Sequence, residues 1–176
     1  RHTAGLVLFS ANPQTRSAYQ QLFPTRKIDK FYEAIAPALP GLTFPLVHKS
    51  RLVDGEPFFR MQEGEGASNT ETAVEVREKN GDLWRYGLFP VTGKKHQLRV
   101  HMTALGASIC NDPFYPDVIQ DAEDDYANPL KLLAQGVHGP GAQFSQRDQP
   151  GLVNPWHEKA RIKRAFSYPA LRLTGL

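Results

Sequence analysis

The side chains best suited to chemistry fall in two short stretches. Lys94, Lys95, His96, Arg99 and His101 gather cations and imidazoles within a few residues, a composition that attracts anions and phosphate above all. The spacing predicts a helix over 95–105, ended by Gly106. At 100° per residue Leu98, Met102 and Leu105 then share an apolar stripe, while His96, Arg99 and Thr103 share a polar one. Starting at Gly93-Lys94-Lys95, that helix would turn free backbone N–H groups toward an anion. The plain alternative for these residues is a solvated helix face. Earlier in the chain, alternation over 28–36 puts Ile28, Lys30, Tyr32 and Ala34 on one strand face and Asp29, Phe31, Glu33 and Ile35 on the other. Lys30 and Tyr32 therefore point the same way.

The elements that must position these groups are partly readable. Leu6-Val7-Leu8-Phe9 is a short apolar run expected of a strand buried on both faces. Asn12-Pro13 supplies an N-cap and a first-turn proline for a helix to about Phe23, with Ala18, Leu22 and one of Tyr19 or Phe23 buried. Strands are expected at 44–53 and 57–61 around Asp54-Gly55, and at 72–77 and 83–89 around Asn80-Gly81. A short strand at 108–110 and a short helix at 129–134 complete the reading. Beyond Gly136 turn signals dominate and no packing pattern is visible until 162–173. The pattern describes an α+β domain with a mixed, mostly antiparallel sheet and flanking helices, without internal repeats or a boundary that would divide residues 1–176.

Composition narrows the classes. The 176 residues are 40% hydrophobic, 10% aromatic and 22% charged, as in one soluble globular domain that buries roughly 70% of its unfolded surface. No run of about 18 uncharged apolar residues is present to cross a bilayer as a helix, so no membrane partner is expected. Gly and Pro number 14 each, about 16% together against an ordinary ~12%, which favours turns and short strands. The single cysteine, Cys110, excludes an intrachain disulfide and a cysteine-based zinc site, and fits a reducing, cytoplasmic setting. Arg1 is preceded by no initiator Met or leader, as expected of a fragment rather than a signal peptide. The formal charge is +3, but residues 147–176 hold six basic and two acidic residues, which leaves 1–146 slightly acidic. Any nucleic acid must be met by a local patch together with that basic tail. Asp121, Glu123, Asp124 and Asp125 form an acidic, solvated loop.

Two segments and a strand then read together. Residues 1–9, Arg-His-Thr-Ala-Gly-Leu-Val-Leu-Phe, resemble the continuation of the H-R-L-D-x-x-T-S-G-L-L-L-F block of RluA-type RNA pseudouridine synthases. Residues 90–101, Pro-Val-Thr-Gly-Lys-Lys-His-Gln-Leu-Arg-Val-His, with Leu105-Gly106 and Asn111-Asp112-Pro113-Phe114-Tyr115, resemble that family's P-x-T-G-R-x-H-Q-I-R-x-H…L-G…G-D-x-x-Y block. Lys30-Phe31-Tyr32-Glu33-Ala34 is similar to its K-x-Y-x-A strand. The resemblance covers about residues 1–135 and leaves 137–176 unassigned. It departs at Asn111, where a Gly is usual. The family's nucleophilic aspartate is the D of H-R-L-D and falls immediately before Arg1, so the stretch in hand is expected to be inactive by itself.

The resemblance implies the pseudouridine synthase catalytic fold and isomerisation of specific uridines in rRNA or tRNA. That chemistry needs a carboxylate nucleophile, a dry pocket for a flipped base and a cation that keeps the carboxylate ionised. It needs no metal or organic cofactor. By resemblance Arg99 is the cation beside the aspartate and Tyr32 the ring that stacks on uracil, with its hydroxyl near C5. Lys30 supports the site or contacts phosphate. Arg1, Lys94, Lys95 and His96 are expected to bind RNA, although His96 and Gln97 also suit packing and capping. Thr3 and Gly5 shape the turn presenting the nucleophile, and Asp112 suits a structural turn. The expected protein is a monomeric RNA-modifying enzyme. The rivals are a non-catalytic RNA-binding module or RNA chaperone of the same fold, and a generic all-β interaction domain.

Overall fold

Strand propensity and turn chemistry dominate the chain, and a sheet is what results. The computed structural model describes residues 3–7, 12–25, 27–119, 128–139 and 142–145. Its elements in order are β1 (Ala4–Gly5), α1 (Pro13–Leu22), β2 (Asp29–Pro37), β3 (Leu46–Asp54), β4 (Met61–Gly64), β5 (Thr70–Asn80), β6 (Leu83–Pro90), α2 (Gln97–Ala104), β7 (Leu132–Gly139) and β8 (Ala142–Ser145). The strands form one sheet ordered β1-β7-β2-β6-β5-β3-β4, with β8 on β7. Only the β1–β7 pairing is parallel among the described residues. The expected mixed, mostly antiparallel α+β architecture is present.

Alternation sorts the sheet's faces. Ala34, Ala36, Val74, Tyr86 and Leu88 face α2 and pack with its Leu98 and Met102, with Ile109, and with Leu130 and Leu132. The opposite face carries a Phe31–Phe89 stack at 5.0 Å with the Arg77 guanidinium over Phe31. There too, buried Glu33 accepts a hydrogen bond from Gln135 Nε2 at 2.9 Å, with Arg85 3.7 Å away. The hairpin around Asn80-Gly81 forms as its turn residues dictate, Gly81 taking φ 53°.

Several expectations need correction. The first strand is Ala4–Gly5 rather than the apolar run after it, and Val7 is exposed; Leu8 and Phe9 lie outside the described residues. In α1, Asn12 caps the first turn by accepting from Gln14 N at 2.9 Å, yet Ala18 is exposed, because a helix reading PQTRSAYQQL has no apolar stripe to sink into a core. Of the strand expected at 57–61, residues 57–60 belong instead to the connection between β3 and β4, closed by Arg60 N donating to Pro57 O at 2.8 Å, and strand starts only at Met61. Residues 108–110 form no strand but bridge two segments, with Cys110 N donating to Ile35 O and Lys131 N to Cys110 O. Where a helix was expected at 129–134, β7 begins at Leu132, and Leu132 to Gly136 are all buried. A short apolar run between β1 and β2 is buried on both faces, and at that length periodicity does not separate strand from helix. The loop 121–125 and most of 137–176 lie outside the described residues, although β7 and β8 carry ordered pairing through Ser145.

Gly5 fixes how the chain enters the sheet. Its φ is +111°, and an added Cβ would sit 2.3 Å from the Ala134 carbonyl oxygen. No side chain fits there without shifting β1 away from β7. Gly5→Ala is expected to lower unfolding stability by about 2 kcal/mol or more in urea titration; a change below about 0.5 kcal/mol contradicts this packing.

Candidate active site

The two stretches singled out in the sequence meet at one cavity of about 970 Å³. Thr3, just before β1, supplies part of its wall, and Lys30 and Tyr32 reach it from β2. Thr92, Gly93 and Lys94 come from the β6–α2 connection, and His96, Gln97, Leu98 and Arg99 from the start of α2. Phe23, Pro24, Pro90, Phe114 and Leu132 complete the lining. Its charged groups are Lys30, Lys94 and Arg99, and the described lining contains no carboxylate.

Tyr32 sits at an irregularity in the pairing of β2 with β7, between Phe31 and Tyr32. Such bulges re-aim a side chain. Burial pushes the Tyr32 phenol above its ordinary value, so it keeps its proton at neutral pH. Beside it, Lys30 Nζ donates to Thr92 O at 3.1 Å, and desolvation lowers its pKa.

Helix α2 departs from the amphipathic expectation. It starts at Gln97, because His96 adopts a left-handed φ of 54°, so the connection at Gly93-Lys94-Lys95 is not a helix N-terminus. Gln97 to Met102 are all buried, since the sheet packs on one side and the β3–β4 hairpin with the 107–115 segment on the other. Arg99 is thus a buried cation, and its partner is Asp112. Nε donates to Asp112 Oδ2 at 2.7 Å and Nη2 donates to Oδ1, a grip that does not use Nη1. Asp112 Oδ1 also accepts from Phe114 N at 2.8 Å and Tyr115 N at 3.1 Å. The guanidinium lies 4.8 Å from the Phe114 ring centroid and 5.2 Å from that of Tyr115. Asp112 is therefore both a turn residue and the anchor of Arg99. Removing one partner of such a pair strands a buried charge. Asp112→Ala is expected to cost about 3–5 kcal/mol in denaturant unfolding, and a cost under about 1 kcal/mol refutes the anchoring role.

Gln97 begins a chain of hydrogen bonds whose directions can be deduced. Glu71 N donates to Thr92 Oγ1 at 2.9 Å, and that hydroxyl donates to Gln97 Oε1 at 2.8 Å, which also accepts from Lys94 N. Gln97 Nε2 donates to Glu71 O and, at 2.9 Å, to Thr72 Oγ1. At the far end Thr70 Oγ1 donates to Ser50 O at 2.7 Å. Having spent its proton, Thr70 must accept from His101 Nε2 at 3.0 Å. His101 Nδ1 then accepts from Thr72 Oγ1 at 2.9 Å. Only the neutral Nε2–H imidazole satisfies this circuit.

His48, Glu63 and His101 also approach one another, with ligand atoms within 4.8 Å and His48 Nε2 2.7 Å from Glu63 Oε1. Their separation in sequence hid this cluster. Both ring nitrogens of His101 are taken by the hydroxyls of Thr70 and Thr72, so an ion would first have to break that circuit. Burial pushes Glu63 up, but the hydrogen bonds from His48 and Ser50 together with the nearby imidazole charge hold it below its ordinary value.

His101 is fully buried, and desolvation, with His48 nearby, lowers its pKa from 6.5 to about 4 against a smaller opposing pull from Glu63. With the folded value below the unfolded one, the unfolded chain takes up this proton first as pH falls. The stability is whole above about pH 6.5 and is lost on the way down to about 4, by on the order of 3 kcal/mol. Urea unfolding across that window should fall accordingly, and the His101 ring should show no NMR titration above about pH 5. A ring titrating near 6.5 contradicts the buried neutral form.

The cavity therefore gathers Tyr32, Arg99, Lys30, Lys94 and His96. His96 is half-buried, its Nδ1 3.0 Å from the Tyr115 hydroxyl. Lys95 is exposed and outside the lining, and Arg1 lies outside the described residues. Sequence reasoning missed Phe114 and the role of Asp112; the N-D-P-F-Y spacing carried both.

Comparison with known proteins adds relatives. The family described as RNA pseudouridylate synthase matches residues 1–104. An uncharacterized RNA pseudouridine synthase of Chlorobaculum parvum is 29% identical over 161 residues, covering 82% of this chain and 47% of that protein. The dual-specificity RNA pseudouridine synthase RluA of Vibrio parahaemolyticus is 32% identical, covering 64% and 48%. The chain spans about half the length of these curated relatives. In fold it is similar to human RNA pseudouridylate synthase domain containing 1, with TM-score 0.63 and 22% identity over 77% of this chain and 60% of that one. Human RNA pseudouridylate synthase domain containing 4 gives 0.57 and 24%, over 74% and 60%.

Proposed function

The chain belongs to the RNA pseudouridylate synthase family, and from that premise we propose that it carries most of the catalytic site of an enzyme converting uridine to pseudouridine in rRNA or tRNA. The full protein acts as a monomer in the cytoplasm. The observation that carries this reading is the cavity where Lys30, Lys94 and Arg99 meet without a carboxylate among the described lining residues. Such a site accepts an anion, as the resemblance requires for the nucleophilic aspartate it locates just before Arg1, and Thr3 shares the cavity wall with Arg99.

The reaction breaks the bond between uracil N1 and ribose C1′ and forms one between C5 and C1′. C5 loses a proton and N1 gains one, so the isomerisation consumes neither water nor an oxidant. Arg99, held from behind by Asp112, presents the remaining edge of its guanidinium to a second carboxylate, keeping it ionised and oriented. The Tyr32 ring stacks on the uracil. Its phenol, protonated at neutral pH, can take the C5 proton only while passing its own onward, so its part is to relay rather than to act as a free phenolate. Leu98 and Leu132 provide an apolar floor that excludes water. Lys94 at the rim, with Lys95 beyond it, meets phosphate.

In the full protein, tritium release from C5-labelled uridine in bulk RNA should report turnover. Tyr32→Phe should bind RNA normally and lower turnover by about 100-fold or more, and Arg99→Ala should abolish it. Wild-type rates in both variants would overturn the assignment. RNA binding without pseudouridine formation by the full wild-type protein would favour the non-catalytic RNA-binding module.

A further inference from the structure

Phe58 is 86% exposed, at the tip of the connection between β3 and β4. An aromatic ring so placed is costly to leave in water, and the tip is not a loose one. Gly55 N donates to Arg60 O at 3.3 Å and Arg60 N to Pro57 O at 2.8 Å. Behind them, Arg60 Nη2 donates to Pro116 O at 2.6 Å. The Tyr115 hydroxyl accepts from Met61 N at 2.8 Å and donates to Met61 O at 3.1 Å, tying the start of β4 to the segment that also carries Phe114.

From Phe58 a series of rings runs inward. Phe58 meets Phe59 edge-on at 5.7 Å, Phe59 lies 5.0 Å from Phe114, and Phe114 lies 5.8 Å from His96. The last two rings line the cavity. A series of rings that begins half-buried at a cationic cavity and ends in solvent at Phe58 suits a polyanion whose unpaired members carry flat faces. The base to be modified enters the cavity, and its neighbours must leave their own stack to let it in.

We propose that Phe58 and Phe59 form a stacking platform for an unpaired nucleotide of RNA next to the uridine held in the cavity. The inference rests on the functional reading above and extends it to the flanking nucleotide. Asp54 and Glu56 border the platform, so its contribution is stacking rather than attraction of phosphate. That distinction sets it apart from Lys94 and Lys95, whose loss should flatten the salt dependence of binding.

The test uses the full protein and a hairpin RNA whose loop uridine is flanked by 2-aminopurine, placed on either side in turn. Binding should quench one of the two probes. Phe58→Ala should lose most of that quenching and bind about ten-fold more weakly at an unchanged salt slope. Phe58→Trp should retain both, and Phe58→Leu, apolar but not aromatic, should behave like the alanine variant. Because the side chain is exposed, these variants leave the fold intact. Wild-type quenching and affinity in Phe58→Ala, with pseudouridine still formed, overturns the platform and leaves the functional reading standing. An equal effect of Leu and Trp overturns stacking in favour of plain apolar contact. No binding of the RNA by wild-type protein overturns both readings.

Discussion

The buried pair between Arg99 and Asp112 is the constraint on which the rest of the site depends. A guanidinium shielded from water on a helix between a sheet and a hairpin is tolerable only with a fixed counter-charge. Asp112 provides it in a turn that the same carboxylate closes by accepting from Phe114 N and Tyr115 N. One oxygen thus couples three things: the orientation of Arg99, the path of the chain after α2, and the position of two aromatic rings beside the cavity. Replacing the arginine with lysine would not reproduce this, because a point charge cannot grip a carboxylate side-on and still present another edge.

Behind that pair runs the circuit of neutral hydrogen bonds from Glu71 N through Thr92, Gln97, Thr72, His101 and Thr70 to Ser50 O. Each threonine hydroxyl donates once and accepts at least once, so its proton has one place to go. The consequence for the site is positional. Thr92 O holds the Lys30 ammonium, and Gln97 Oε1 holds the backbone of Lys94, so both lysines are set by a lattice rooted in β3 and β5. A network with every member satisfied rigidifies its surroundings, whereas a single missing partner would make the same burial costly. The α2 helix accordingly buries polar side chains that an amphipathic pattern assigns to solvent.

This explains which parts of the molecule were legible in the sequence. The β5–β6 hairpin was, because Asn80-Gly81 dictates a local turn that long-range packing had only to accept. The shared direction of Lys30 and Tyr32 followed from strand alternation, and the two blocks around Thr3 and Arg99 followed from a resemblance in residue order. What stayed hidden depended on partners distant in sequence. Leu132 to Gly136 became strand because β1 and β2 flank them. His96 left the helix by taking a left-handed turn that no periodicity encodes, and Arg99 moved from a polar stripe to the interior because Asp112 waits there. His48, Glu63 and His101 come from β3, β4 and α2, and only the packing of that helix on the paired strands brings them together.

Net charge turned out to be a poor guide to what the cavity admits, and physical scale says why. The formal +3 comes from residues 147–176, while the preceding part of the chain is slightly acidic. At physiological salt, fields between exposed charges fade over about 8 Å, so Glu71 paired with Lys49, or Glu78 with Arg85, says little to a ligand inside the cavity. Lys30, Lys94 and Arg99 act there at short range, with Lys30 half-buried and Arg99 buried, where screening is weak. The pair with Asp112 does not cancel Arg99, because it fills only one edge of the guanidinium. The guanidinium is already oriented and already desolvated, so the larger part of the cost of burying that charge is met by the fold itself.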